Sequence, residues 1–237
     1  MSKGNVGSVR ASIIQQEYLA EAYRIAHYQG DNPYVTTSAL AERMNVSAPA
    51  VAAVVERLKR GGYVEHEPYR GMRLTPKGER EALLSIRRHR LTEAFLVKVM
   101  GFAWHEVHDE ADALGAVISD ELAARMEKMA GYPKRCPHGE PIPTADGVMP
   151  PIQDTPLSEI TEVPIDLIVS RVNSHDPEVL KYLGSLQIVP EQAITLLNRA
   201  PFHGPLRLRI GKHEQVIGYE LACSIRVTPA PKETRDA

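Results

Sequence analysis

The sequence predicts a mainly α-helical chain that ends in a small β domain. The expected parts are an N-terminal winged helix-turn-helix, a helical middle domain and a C-terminal small β-barrel. Three observations carry this. Residues 8–75 follow the order helix, helix, helix, β-hairpin. Residues 76–140 hold two long patterns with apolar residues at helical spacing. Beyond a stretch with prolines at 141, 143, 150, 151 and 156, short Val/Ile/Leu runs alternate with Gly, Pro and Asn, as in a small barrel. The expected domains are 1–75, 76–140, a semi-rigid linker at 141–156, and 157–230.

Each element has its own signal. Ile14, Tyr18, Ala22 and Ile25 lie on one face of a helix over 8–29, which Gly30-Asp31-Asn32-Pro33 breaks. Shorter helices follow at about 37–44 and 47–60, with Ser47 as N-cap, Pro49 in the first turn and Gly61-Gly62 at the end. Residues 63–67 alternate, Tyr69-Arg70-Gly71 turns, and Met72-Arg73-Leu74 returns as a hairpin. Thr75-Pro76 opens a long helix that ends near Gly101, with Leu84, Leu91, Phe95 and Val99 along one side. A second long helix is expected over 104–130, striped by Val107, Ala111, Leu114, Ile118 and Leu122. Antiparallel, these two helices bury one face and leave the other for a partner subunit. In the last third, 165–172, 192–197, 206–210 and 224–227 read as strands, with a short helix near 176–186.

Composition excludes several classes. Hydrophobic residues make up 43% of the 237-residue chain and charged residues 24%, ordinary values for a soluble protein. No apolar run approaches the roughly 18–20 residues of a membrane span, and residues 1–12 lack the apolar core of a secretory signal. Cys136 and Cys223 are the only cysteines, so neither a disulfide framework nor a four-cysteine zinc site is available. A cytoplasmic location is expected. The net charge is −2, yet residues 1–80 carry 11 Lys/Arg against 8 Asp/Glu. The basic excess sits where a DNA-binding module needs it.

The helix over 47–60 begins with small residues that can lie close in a major groove. Ser47, Ala48, Pro49 and Ala50, with Thr37 on the preceding helix, are the candidate contacts to the duplex. Among Ser47–Ala53 only Ser47 can hydrogen-bond through its side chain, so base readout leans on methyl contacts and shape. Arg57, Lys59 and Arg60 at the far end, with Arg70 and Arg73 in the wing, serve phosphates.

The second functional signal lies on the middle helices. His89 and Glu93 are four residues apart and share a helix face; His108 and Asp112 repeat that spacing. Folding the chain about residues 101–102 brings the two pairs toward each other. Imidazole with carboxylate suits a divalent ion such as Mn, Fe(II), Co or Zn. The plainer alternative is that these groups form surface ion pairs with Arg87, Arg88 and Arg90. His105 reads as a solvated histidine, Cys136-Pro137-His138 as an ordinary loop, and Cys223 as a core residue.

From Tyr18 to Pro143 the chain resembles the diphtheria-toxin-repressor family, which includes the iron- and manganese-dependent regulators. The resemblance rests on Glu17-Tyr18-Leu19, on Leu40-Ala41-Glu42-Arg43-Met44-Asn45-Val46-Ser47-Ala48-Pro49, and on Tyr69-Arg70-Gly71 with Leu74-Thr75-Pro76-Lys77-Gly78. It continues in His89-Arg90-Leu91-Thr92-Glu93, in Val107-His108-Asp109-Glu110-Ala111-Asp112, in Ile118-Ser119-Asp120-Glu121-Leu122 and in Pro137-His138-Gly139-Glu140-Pro141-Ile142-Pro143. The C-terminal segment resembles the SH3-like, FeoA-like barrel that many members append.

The resemblance implies a homodimeric repressor, joined through its middle helices, that binds a palindromic operator when metal loads and so controls metal homeostasis. It makes His89, Glu93 and His108 the ligands of one metal site, completed from the barrel by His175, Glu178 or Asp176. Glu17 and Asp112 fall at a second site, where the family has a Glu-His pair and this chain has Gly115 and Ala116. The first site is therefore expected to dominate, with any ion near Glu17 held largely by water. An oxygen/imidazole set points to Mn(II) first and Fe(II) second.

Two other readings stand beside this one. A winged-helix regulator not controlled by metal would fit the missing ligands at 115 and 116. A metal-dependent hydrolase would need an open coordination position and a general base. The sequence offers no HExxH, phosphate loop or nucleophile elbow, and no enzymatic activity is expected.

Overall fold

The structure is a computed structural model that describes residues 11–29 and 32–231. The chain divides into two compact units. The first comprises residues up to His89 with 114–120 and 143–149; the second comprises 90–113, 121–142 and the chain from 150 onward. The start of the helix expected over 8–29 lies outside the described residues.

In the first unit, α1 (Ile13–Tyr28) opens on a capping box. The Ser12 hydroxyl accepts from the Gln15 backbone while the Gln15 side chain accepts from the Ser12 N–H, satisfying two donors that a helix start leaves open. Thr36 caps α2 (Thr37–Met44), and Asn45, at φ 51°, turns the chain into α3 (Ala48–Arg60). Ser47 stands at the N-cap of α3 without a side-chain cap bond, and Pro49 sits in its first turn. Tyr18, Leu19 and Ala22 of α1 pack with Leu40 of α2 and with Val51, Val55 and Leu58 of α3 in one core. Each large side chain so buried contributes about 1.5–3 kcal/mol. Strands β1 (Val64–Glu67) and β2 (Gly71–Leu74) form the antiparallel wing, and Val35 bridges to Met72.

Helix α4 (Pro76–Lys98) runs through both units. The long helix expected over 104–130 is two helices, α5 (Val107–Gly115) and α6 (Asp120–Met129). Gly115 ends α5 close against α4, where a Cβ would stand 3.1 Å from the His89 Cα. The apolar spacing continues through Val117 and Ile118, which is why the sequence reads as unbroken.

The second unit holds the small β domain. Its antiparallel sheet has the order β3-β8-β4-β5-β6-β7. The strands are β3 (Thr155–Pro156), β4 (Ile165–Val172), β5 (Ala193–Arg199), β6 (Leu206–Ile210), β7 (His213–Ile217) and β8 (Ile225–Pro229). Register shifts at Val169/Arg171 and Leu196/Asn198 mark bulges, which bend a sheet. Helices α7 (Pro177–Ser185) and α8 (Tyr219–Ser224) flank it. Leu167, Val169, Leu180, Leu183, Leu196 and Leu208 are central to its core. The sequence reading had no counterpart for β7 or α8. Cys223, expected in the core, is exposed, because it falls on the outer side of α8. No helix among the described residues is long and apolar enough to cross a membrane.

Candidate metal centre

Helix α4 sets His89 and Glu93 one turn apart, and α5 carries His108 and Asp112 at the same spacing. The unit boundary falls between His89 and Arg90, inside α4, so the helix itself holds His89 beside Glu93. A third segment arrives from the loop after α6. Its turn is closed by Cys136 N–H to the Glu140 carbonyl and Gly139 N–H to the Cys136 carbonyl, both 2.9 Å. The loop is seated on β4 by Val172 N–H to the His138 carbonyl at 2.9 Å. Gly139, at φ +86°, touches β4 so closely that a Cβ would come 2.3 Å from the Ser170 carbonyl. Only glycine fits there.

Two groups of candidate ligands result, His89/Glu93/His108 and Glu93/Cys136/His138, each with ligand atoms within 4.8 Å of one another. Glu93 belongs to both. Its Oε1 lies 3.4 Å from His108 Nδ1 and 3.3 Å from His138 Nδ1, and the Cys136 sulfur is 3.9 Å from that same His138 nitrogen. Glu93 and His138 are each 1% exposed and Cys136 is 6% exposed. A carboxylate buried to that degree is costly without compensating positive charge.

The donor set fits a cation. His138 Nε2 lies 2.8 Å from the Trp104 carbonyl; a carbonyl only accepts, so Nε2 carries the proton. In the neutral ring Nδ1 then presents its lone pair toward Glu93 and Cys136. Such an outward N–H to a carbonyl is the usual support of a metal-ligating histidine. Burial, then the charge of Glu93, pushes the Cys136 thiol well above its ordinary pKa. A cavity of about 670 Å³, bounded by Ala94, Lys98, Trp104 and Cys136 among others, opens beside the thiol.

A buried ionic lattice fixes the same loop. Arg90, next to His89 on α4, donates to the Pro141 carbonyl at 2.6 Å and to Glu140 at 2.9 Å. The other oxygen of Glu140 accepts from Arg171 of β4 at 2.7 Å. Arg171 continues to Asp154 at 2.8 Å, which also accepts from Arg226 at 2.9 Å. Burial alone would raise the Asp154 carboxyl; the Arg171 hydrogen bond and charge, with Arg226 and Ser170, bring it below its ordinary value.

The remaining expected residues fall in different places. The His175 ring lies 3.9 Å, centre to centre, from the His108 ring. Asp176 caps α7, its Oδ1 accepting from the Glu178 and Val179 N–H groups, and Glu178 is exposed. The Asp112 carboxylate is 3.6 Å from His108 Nε2 with a side chain 60% exposed. Glu17 is exposed on α1. None of these five belongs to either three-residue group. Cys136 and His138, read from the sequence as an ordinary loop, complete the second group. Their sequence signal was a Cys-x-His pair; what it lacked was a partner, because Glu93 lies far away along the chain.

The candidate DNA contacts lie at mostly exposed positions of the winged helix. Ser47, Ala48, Pro49, Ala50, Arg57, Lys59 and Arg60 are all exposed, and Thr37 is half-buried at the start of α2. The wing arginines are already engaged. Arg73 pairs with Glu65 at 2.6 Å, and Arg70 pairs with Glu67 at 3.3 Å and lies 4.0 Å over the Tyr34 ring. Tyr34 OH donates to Glu67, which lowers the Glu67 carboxyl pKa and raises that of Tyr34.

A winged helix, a helical segment bearing clustered imidazole and carboxylate groups, and a small antiparallel sheet domain define a DNA-binding regulator of the metal-responsive class. Family models match in the same order. They are the iron dependent repressor N-terminal DNA binding domain over 14–72, the iron dependent repressor metal binding and dimerisation domain over 75–144, and the FeoA domain over 155–229. The chain is 32% identical over 200 residues to the iron-dependent repressor IdeR of Mycobacterium tuberculosis, covering 79% of this chain and 86% of that one. It is 38% identical over 107 residues to the diphtheria toxin repressor of Corynebacterium diphtheriae, 45% of this chain and 47% of the relative. A solved manganese-dependent transcriptional repressor in complex with manganese superposes with a TM-score of 0.82 at 35% identity, over 91% of this chain and all of that one. The repressor ScaR with bound Cd2+ gives 0.76 at 28% identity, over 91% and 99%. The chain belongs to the iron-dependent repressor family.

Proposed function

We propose that the protein is a divalent-metal-dependent transcriptional repressor that binds palindromic operator DNA as a homodimer and acts in metal homeostasis. One observation carries the metal dependence: Glu93, almost fully buried, faces two histidine groups and a thiol through a single carboxylate. His89, Glu93 and His108 would hold one ion, and Glu93, Cys136 and His138 a second, with His175 beside His108 as the contribution of the sheet domain. The bound ions would supply positive charge that joins α4, α5 and the 136–142 loop.

The chain's own residues set the remaining terms. Trp104 orients His138, and the Arg90–Glu140–Arg171 lattice fixes its loop. The oxygen/imidazole group favours Mn(II), then Fe(II); the group with Cys136 suits softer ions such as Fe(II) or Zn(II). The exposed start of α3 enters the major groove, and Arg57, Lys59 and Arg60 contact phosphates. In a dimer the two copies of α3 must stand about 34–36 Å apart to read successive turns. A cytoplasmic location belongs to the same reading. Quantifying Mn(II) or Zn(II) per chain by equilibrium dialysis tests the site. Wild type should retain ions that Glu93→Gln loses, and equal retention by both would remove Glu93 from the centre.

A further inference from the structure

We infer that Arg88 is a positioning residue that transmits the state of the metal centre to α1 and so to the winged helix, an inference that rests on the metal reading above. Arg88 is 4% exposed, and a guanidinium so buried is retained only where partners hold it. Its Nη2 donates to the Gln16 side-chain oxygen at 2.6 Å, and its Nη1 lies 3.6 Å from Asp120 Oδ1. Gln16 is itself buried and donates its side-chain N–H to the Ala11 carbonyl at 3.0 Å. One guanidinium therefore ties the first turns of α1 to the middle of α4, with the exposed Asp120 carboxylate at the first residue of α6 as a looser ion-pair neighbour. All three residues lie in the first unit.

The position of this clamp gives it a role beyond packing. Arg88 immediately precedes His89. The segment 114–120, which continues α5 beyond His108, rests on α4 at that same place, since the bare Cα of Gly115 faces the His89 backbone. At its other end the clamp holds Gln16, two residues before Tyr18, whose ring packs in the core shared with α3. A change at the centre would reach the recognition helix along α4, through the buried Arg88–Gln16 hydrogen bond and the Ala20–Leu83–Ile86 contact beside it. Such a coupling counts as shown only when both ends respond to the link between them.

The test uses the full-length protein with Mn(II) as the sole ligand. Affinity is measured by calorimetry, and amide hydrogen exchange over Ile13–Tyr28 is followed in chelator and in saturating Mn(II). In wild type Mn(II) should slow exchange in α1 by about 5–150-fold, the range of ordinary allosteric coupling. Arg88→Met and Gln16→Leu should each bind Mn(II) within about twofold of wild type and lose most of that slowing. Gln16→Leu keeps Arg88 and decides the matter if Arg88→Met does not fold. Full slowing in the variants would overturn the role of Arg88. So would a loss of Mn(II) affinity in step with the slowing, because Arg88 would then only shape the centre. Wild type that binds Mn(II) without slowing α1 would also overturn it. Wild type that binds no Mn(II) would instead remove the metal reading beneath it.

Discussion

His138 donates its Nε2 proton to the carbonyl of Trp104 at 2.8 Å, and this bond turns its Nδ1 to face Glu93 at 3.3 Å. Two groups that both accept hydrogen bonds thereby meet in a site closed to solvent. Either a proton or a cation must lie between them. In the metal-free chain the protonated Cys136 thiol can donate to Nδ1; a bound cation would displace that proton and take Glu93, His138 and Cys136 together as ligands.

Sharing of Glu93 between the two proposed ligand groups predicts a stoichiometry. Glu93→Gln should remove both ions, His89→Ala the ion on the α4–α5 side, and His138→Gln the ion on the loop side. Each single-ligand loss should lower the affinity of its own ion by at least the roughly 10–100-fold seen for supporting residues. Calorimetric titration with Mn(II) and Zn(II) separates the cases, and loss of both ions in His89→Ala would contradict the two-group arrangement.

The Asp154 lattice makes the second unit sensitive to acid. Asp154 has a lowered pKa in the folded chain, so its contribution is present above the unfolded value near 4 and is lost as pH falls through the folded value. Asp154→Asn leaves Arg171 and Arg226 without their counter-charge and should cost about 3–5 kcal/mol at neutral pH. It should also flatten the acid limb of stability below about pH 4. Trp104, the single tryptophan, packs against the sheet-domain core, so its fluorescence in urea titrations reports this directly.

Gly115 offers a sign test. Glycine to alanine in a helix usually stabilises by about 0.4–1 kcal/mol. Here the new Cβ would meet the His89 Cα at 3.1 Å, and a helix backbone cannot yield as a side chain does. Overpacking of that kind costs about 1–3 kcal/mol, so Gly115→Ala should lower the thermal midpoint. A raised midpoint would show that the two helices separate freely.

The chain's order of elements was legible because turn residues mark it: Pro49 lies in the first turn of α3 and Pro76 opens α4 where the sequence placed those helices, while the caps Ser12 and Thr36 carry no comparably strong signal. The break between α5 and α6 was not, since Leu114, Ile118 and Leu122 keep helical spacing across it. Strand β7 is not legible in the sequence because its residues are mostly exposed and the alternation is weak. His89, Glu93 and His108 were legible from their i, i+4 spacing and the family resemblance. Cys136 and His138 were not, because their approach to Glu93 depends on a loop that β4 and Glu140 hold in place.

Pairing within the wing predicts a hierarchy among the basic residues. Arg57→Ala or Lys59→Ala should each reduce the salt dependence of DNA binding by about 0.9 in slope, one phosphate contact. Arg73→Ala should reduce it less, because Glu65 already holds that side chain. Anisotropy titrations at several salt concentrations measure these slopes, and equal losses would mean that the Arg73–Glu65 pair opens on the duplex.

In the proposed function, DNA binding depends on the metal centre. The direct measurement is fluorescence anisotropy of a labelled duplex covering the region upstream of the protein's own reading frame, in chelator and then across a Mn(II) titration at fixed salt. Saturable binding should appear with Mn(II) and be lost in Glu93→Gln. Equally tight binding in chelator would contradict it and leave a winged-helix regulator that does not sense metal.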